Sequence, residues 1–371
     1  MASPRQNPTV KIEALDDEGR GLARVDGKNQ GVAFAIPGET WRLQPKPELV
    51  EASPDRVPPP CPYFGRCGGC QLQHMKAARQ AEEKDLWLRR VLRGLVPEER
   101  ILPLIRSPRE WNYRRRIQLH VGPRGEIGFY AAKSREVVDI QSCRIAEEAL
   151  NRQLPSVRKT ALQALQGPKK PASLSYELTL CEDGSVEIVP GGAGRSFLQV
   201  NPEANCRLIE VLRAALEEIR PQRVLELFAG DGNLGLALAT PGQQWLAVES
   251  NPRAVERGRG RGSDSGVALE WKQGEAAKVA AQLFQGGARF DAVLLDPPRG
   301  GAEDCLPLFR KYRPPHLLYV SCHAPVLRKD LQVLVKAGYE VAWVQALDFF
   351  PQTMNLEAAV ALRFMPHSVK G

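Results

Sequence analysis

Cys61, Cys67 and Cys70 fall within ten residues, in CPYFGRCGGC, and Cys143 follows far downstream as a fourth thiol. Such a set can bind a zinc ion or a cubane cluster. Structural zinc more often uses two short paired spacings, whereas three clustered cysteines plus one remote thiolate suit iron–sulfur. Cys322 stands apart, at the end of the apolar run LLYVSC and shortly after Asp296-Pro297-Pro298-Arg299. In that setting it reads as a nucleophile, because a thiolate is strongly nucleophilic. The alternative for any single cysteine is an inert, buried packing residue.

A second constellation must position that thiol. The strand-like run RVLELF leads into Ala229-Gly230-Asp231-Gly232-Asn233 and then the helical stretch LGLALA. Glycines at such a turn let the backbone approach a ligand closely, and Gly230, Gly232 and Gly235 also fit G-x-G-x-x-G. Glu249 closes the next strand roughly 20 residues on, where a carboxylate can accept hydrogen bonds from ribose hydroxyls. Dehydrogenases and methyltransferases share that geometry. Asp296-Pro297-Pro298 separates them: proline makes the turn after the strand rigid, and nucleic-acid methyltransferases use similar turns to hold a flipped base.

From about residue 203, RVLELF, WLAVES, FDAVLLD and LLYVSC alternate with helical stretches, the pattern of a doubly wound α/β sheet. EVAWVQALDFF and EAAVALRF are expected to pair antiparallel at its edge. Residues 8–55 read as a compact, barrel-like β module punctuated by Gly19, Gly21, Gly27 and Gly31. SPDRVPPP connects it to the cysteine segment, and a helix is expected over Met75–Leu95. Strands follow over 111–145, with a hairpin turn at Gly122-Pro123-Arg124-Gly125, and LSYELTL and SVEIVP form a hairpin around Asp183-Gly184. The expected domains are 8–55, 56–195 and 196–371.

Composition narrows the classes. With 43% hydrophobic and 25% charged residues, the chain is an ordinary globular protein. No apolar run nears the roughly 18 residues of a membrane span, and no signal-peptide apolar region stands at the N-terminus. A cytoplasmic monomer without a membrane partner is expected. Eight irregularly spaced cysteines do not form a disulfide framework. The net charge of +8 fits a phosphate-bearing partner. Arg109, Arg114, Arg115, Arg116, Arg124, Lys133 and Arg135 intermingle with Trp111, Tyr113, Phe129 and Tyr130. Arginines neutralise phosphates and aromatic faces stack bases, although a solvated strand edge with inward aromatics gives the same pattern.

With these residues in place, the chain resembles, almost end to end, the bacterial RNA uracil-5-methyltransferases that carry an iron–sulfur cluster. CPYFGRCGGC with Cys143, FLQVNPEAN, LELFAGDGN, AVESN, LLDPPRGG, YVSC and DFFPQT followed by Glu357 fall in the family's order. The resemblance implies a Rossmann-like class I S-adenosylmethionine methyltransferase domain, an N-terminal TRAM-like RNA-binding β-barrel, here shortened, and a central β-rich domain. It implies methyl transfer to C5 of a uridine in structured RNA, ribosomal RNA favoured over transfer RNA.

Position by position, the resemblance implies that Gln199, Phe228, Asn233, Glu249 and Asp296 contact S-adenosylmethionine, with Glu275 near its adenine. Cys322 corresponds to the nucleophile and Glu357 to the proton-abstracting base. Cys61, Cys67, Cys70 and Cys143 match the ligands of a [4Fe–4S] cluster. Cys181, Cys206 and Cys305 match no motif and read as packing residues. Two positions depart: Asn355 stands where the family usually has histidine, and His323 where asparagine is common. Asparagine hydrogen-bonds but does not titrate. A second reading is therefore a catalytically weakened RNA-binding or RNA-folding factor that keeps the fold; retention of Cys322 and Asp296 argues against it. A third, an amino-group methyltransferase, would share the Asp-Pro-Pro turn but need no cysteine adduct.

Overall fold

The computed structural model describes residues 9–167, 174–191, 199–265 and 269–366. Phe197 and Leu198 of the FLQVNPEAN motif lie outside them. The chain groups into two compact units, one of residues 1–87, 108–194 and 350–354, the other of 88–107, 195–349 and 355–371.

In the first unit, glycine-punctuated segments form β1 (Thr9–Leu15), β2 (Gly21–Val25), β3 (Lys28–Val32), β4 (Thr40–Arg42) and β5 (Glu48–Glu51). Their antiparallel ladder runs β3-β2-β1-β4-β5, and among the described residues β3 and β5 are its two edges. Alternation sends Ile12, Ala23, Val32, Ala35 and Trp41 into one core. Buried Glu39 ties the module together, accepting from Ile36 N, Trp41 Nε1 and the Arg56 guanidinium. Burial opposes its charge, but Arg56 and the N–H donors outweigh that and hold the carboxyl below its ordinary range.

Helix α1 (Ala77–Leu92) follows the cysteine segment, and β6 (Ile101–Ile105) belongs to the second unit. The rest of the first unit is a sheet of β7 (Arg116–Val121), β8 (Ile127–Tyr130), β9 (Val137–Asp139), β10 (Leu174–Leu180) and β11 (Val186–Pro190), ordered β11-β10-β7-β8-β9. Both expected hairpins form, β7–β8 and β10–β11. Ile117, Leu119 and Leu178 pack against α2 (Glu148–Asn151) and α3 (Leu154–Gln166) through Leu150, Val157 and Ala161.

The second unit is a doubly wound sheet of eight strands. It comprises β12 (Arg223–Leu227), β13 (Gln244–Glu249), β14 (Glu270–Gln273), β15 (Ala292–Leu295), β16 (His316–Ser321), β17 (Tyr339–Leu347) and β18 (Glu357–Phe364), with β6. The order is β14-β13-β12-β15-β16-β18-β17-β6. Helices α4 (Pro202–Ile219), α5 (Gly235–Leu238), α6 (Pro252–Ser265), α7 (Ala276–Gln285), α8 (Leu306–Tyr312) and α9 (Ala324–Lys336) connect the strands. Val224, Leu225, Leu227, Val293 and Leu317–Val320 are fully enclosed, as expected of parallel strands covered on both faces. β17 and β18 pair antiparallel as expected, but they are not the edge: β6 adds in parallel outside β17. No helix among the described residues is long and apolar enough to cross a membrane.

The chain steps from β12 outward through β13 to β14, then returns to place β15 and β16 on the other side of β12. Such a reversal opens a crevice at the carboxyl ends of the strands, where ligands of open α/β sheets bind.

One glycine tests the close packing of the central sheet. A Cβ on Gly128 of β8 would lie 2.0 Å from the Val138 carbonyl oxygen, a backbone atom that cannot swing away. Gly128→Ala should destabilise the protein by about 1–3 kcal/mol, read as a lowered denaturation midpoint with an unchanged slope.

Candidate active site

Three strand ends meet at the switch point. β12 runs parallel between β13 and β15, with Leu227 opposite Val248 and Leu295. The next residues, Phe228, Glu249 and Asp296, therefore occupy one edge. Phe228 turns the chain in the left-handed region at φ 64°, and Gly230 and Gly232 keep φ positive through the loop. Glu249 is half-buried and already accepts from Gly230 N (2.9 Å) and Asn251 N (2.8 Å), so its carboxylate braces the loop.

Asn233 exchanges two hydrogen bonds with Asn205 of α4, at 2.9 and 3.0 Å. Its amide is thus spent on holding the loop to the helix. Gln199 is half-buried, and Glu275 is exposed and paired with Lys278 at 2.7 Å.

The nucleophile candidate comes from β16 and the base candidate from β18. Ser321 pairs with Ala358 in the antiparallel ladder, which sets Cys322 opposite Glu357. Asp296 follows β15 on the other flank of β16, where Leu295 pairs with Tyr319. Burial pushes the Cys322 thiol up to about 11; Glu357 and then Asp296 add to the shift and Arg299 opposes it. Burial also raises Asp296, to about 7. Glu357 is raised well above the ordinary carboxylate range by burial and then by Asp296.

Glu226 belongs to this group, and sequence reasoning passed over its role. Its carboxylate, 2% exposed, accepts from Trp245 Nε1 at 2.8 Å and Gly235 N at 3.2 Å. Burial raises it to about 7; the two donors oppose the shift and Asp296 adds to it. A Cβ at Gly235 would sit 2.1 Å from that carboxylate, so glycine is required there. The signal was available: a lone acid inside an apolar strand just before a glycine loop. Asp330 was missed as well. It accepts from Tyr319 Oη (2.6 Å) and Ala302 N (2.9 Å), fastening α9 to β16 and to the loop after Asp-Pro-Pro.

In the first unit, Cys61, Cys67, Cys70 and Cys143 are free thiols lining one cavity of about 210 Å³ with Arg114, His120 and Phe129. Burial drives the Cys70 thiol up to about 12; Gln73 opposes this, while the Cys143, Cys67 and Cys61 sulfurs add to it. The sulfurs thus sense one another. Even so, among the described residues no group of three or more His, Cys, Asp or Glu side chains is arranged to hold a metal ion. Of the cysteines read as packing residues, Cys305 is buried, Cys181 is half-buried and Cys206 is exposed.

Comparison with known proteins places the chain in a family. A family model described as tRNA (Uracil-5-)-methyltransferase matches residues 283–364, and one described as Conserved hypothetical protein 95 matches 205–312. The 23S rRNA (uracil(1939)-C(5))-methyltransferase RlmD of Pseudomonas syringae is 31% identical, over 94% of this chain and 92% of its own. The protein of that name from Klebsiella pneumoniae strain 342 is 32% identical, over 96% of this chain and 95% of its own. The chain belongs to the RNA uracil-5-methyltransferase family. This is a family of S-adenosylmethionine-dependent RNA (uracil-5-)-methyltransferases. Its fold extends to a solved structure, the Pyrococcus abyssi tRNA (uracil-54, C5)-methyltransferase in complex with S-adenosyl-L-homocysteine. That structure is 22% identical, with a TM-score of 0.72 over 96% of this chain and 100% of that one.

The burial of Cys322 beside Glu357 and Asp296 yields a pH test. In the substrate-free protein, alkylation of the Cys322 peptide by iodoacetamide, followed by mass spectrometry, should rise with a midpoint near 11. Glu357→Gln should lower that midpoint, because removing a neighbouring negative charge favours the thiolate. A midpoint near the ordinary cysteine value of about 8.5 in the unaltered protein would refute the burial argument.

Proposed function

We propose that this protein methylates C5 of a single uridine in 23S ribosomal RNA through a transient Cys322–uracil bond. The observation that carries the proposal is the grouping of Cys322, Glu357 and Asp296 at one sheet edge, in a chain whose relatives carry the 23S rRNA name over most of their length.

Uracil C5 is too weak a nucleophile to attack a methyl sulfonium unaided. Addition of the Cys322 thiolate to C6 pushes the double-bond electrons toward C5 and the O4 carbonyl, and covalent catalysis thereby divides a hard step. S-adenosylmethionine, when bound, supplies a methyl group on a positively charged sulfur. With C5 methylated, Glu357 takes the C5 proton. The C–H electron pair restores the C5–C6 double bond as Cys322 leaves, giving 5-methyluridine. A base whose proton affinity lies well above the ordinary carboxylate range suits that transfer. Asp296, Glu249 and Phe228 are proposed to line the methyl-donor site. Asn233 and Gln199 complete that set, Asn233 through the loop it pins to Asn205.

The 9–51 module is proposed as a TRAM-like RNA contact. Cys61, Cys67, Cys70 and Cys143 have the donor chemistry and the shared cavity for a [4Fe–4S] cluster, whose irons are spread wider than one ion. Such a cluster would cross-link the cysteine segment to the central sheet. Arg114, which lines the same cavity, belongs to the arginine–aromatic segment proposed to meet RNA.

Purified protein given methyl-labelled S-adenosylmethionine with unmodified ribosomal or transfer RNA should place label in 5-methyluridine from the ribosomal RNA. Cys322→Ala should abolish label. Glu357→Gln should cut turnover by about 10²–10⁴-fold and accumulate a denaturant-stable protein–RNA adduct. Label without any adduct in Glu357→Gln would count against the covalent route. Binding of RNA without label in any nucleoside would favour the weakened-factor reading suggested by Asn355.

A further inference from the structure

Phe34 ends the turn after β3 at φ 59°, in the left-handed region that bulky residues rarely adopt. The contact that holds it there is visible. Arg56 Nη2 donates to the Phe34 carbonyl at 2.7 Å, and the same guanidinium is clamped by buried Glu39 at 2.6 and 2.7 Å. Ala35 and Ile36, the next two residues, are fully buried, yet Phe34 is 37% exposed.

Two more rings stand against it. Phe64 lies 5.0 Å away centroid to centroid, and His74 meets Phe34 edge-on at 5.9 Å and Phe64 at 5.7 Å. His74 is 2% exposed and neither of its ring nitrogens has a hydrogen-bond partner among the described residues. Burial, then Arg56, lowers its pKa to about 4, so it is a neutral flat support. A Cβ on Gly65 would lie 3.8 Å from Phe34 Cζ, and Arg66, the next residue, is exposed.

An exposed aromatic ring on a strained backbone, braced by two rings and next to a glycine that an exposed arginine follows in sequence, has the build of a base-stacking platform. We propose that the Phe34 ring stacks on an unpaired nucleobase of the RNA substrate, with Arg66 on the adjoining phosphate. The inference rests on the RNA substrate proposed above and adds a recognition point outside the catalytic unit. A lone exposed ring, with an exposed cation two residues along from its Phe64 neighbour, fits one base and one phosphate better than an apolar helix, which would need a stripe of such positions.

The test is fluorescence anisotropy of a labelled, unmodified 23S rRNA stem-loop across a salt series, with methyl transfer to the same RNA measured in parallel. Phe34→Ala and Phe34→Leu should weaken binding about 10-fold and leave the salt slope unchanged, because stacking releases no counterions. Phe34→Trp should bind as tightly as the unaltered protein. Arg66→Ala should shrink the salt slope by about one. Phe34→Leu keeps apolar packing on Phe64, so it carries the test if Phe34→Ala fails to fold; unchanged melting and S-adenosylmethionine binding certify each variant. Binding by Phe34→Leu equal to the unaltered protein, with methylation intact, overturns the platform and spares the proposed function. Phe34-dependent binding without methylation does the reverse. Absence of binding by the unaltered protein overturns both.

Discussion

Because Ser321 faces Ala358 across β16 and β18, the residue that leaves one strand and the residue that opens the other are forced side by side. That antiparallel register is the constraint on which the site depends. It runs through six consecutive pairs from His316–Arg363 to Ser321–Ala358, in strands whose apolar residues are almost wholly enclosed. A slip of one residue would send every side chain of β18 to the opposite face and carry Glu357 away from the thiol. The parallel neighbour β15 fixes the other flank, so Asp296 arrives at the same edge. Tyr319 Oη on Asp330 then secures β16 to α9, the helix that begins two residues beyond Cys322.

The central strands also gather carboxyl groups at one edge. Glu226, Asp296 and Glu357 all have raised proton affinity, and burial leads in each case. The same field and the same burial keep Cys322 a thiol at neutral pH. Without a ligand the edge is therefore a poor place for a thiolate and a good place for a cation. On the proposed reading these facts belong together. A sulfonium entering the crevice offsets the carboxylates, and each unit of pKa recovered is worth about 1.4 kcal/mol of interaction. Cys322 would then ionise chiefly in the loaded site, which guards a reactive nucleophile against adventitious chemistry.

Legibility in the sequence followed burial. β12, β13, β15 and β16 read directly as apolar runs because parallel strands covered on both faces carry apolar residues at nearly every position. β14, EWKQ, buries only Trp271, and β6, ILPLI, contains a proline and joins β17 across a long sequence gap. Neither carries a local signal. The strand-end positions of Cys322, Glu249 and Asp296 were legible because each closes a recognisable strand. Glu226 was not, since its role depends on Trp245 and Gly235, which only the fold brings to it. Asn233 was legible as a loop residue, but its partner Asn205 fixes what its amide does. In the N-terminal module the glycines marked the strands, whereas the ladder order depends on pairings that no local pattern encodes.

Asn355 is the position at which residue identity and geometry pull in different directions. It is exposed, whereas Glu357, two residues on, is 6% exposed at the start of β18. The proton affinity of Glu357 is set by its burial and by Asp296, both of which depend on the sheet and not on residue 355. Losing a titratable ring at 355 therefore leaves the strength of the base intact. On the proposed mechanism, what it would remove is a group able to pass the proton outward once Glu357 had taken it, since asparagine offers hydrogen bonds but no exchangeable charge. On that mechanism the departure would weigh on regeneration of the base between turnovers, whereas the bond-making steps at C6 and C5 would keep the residues they need.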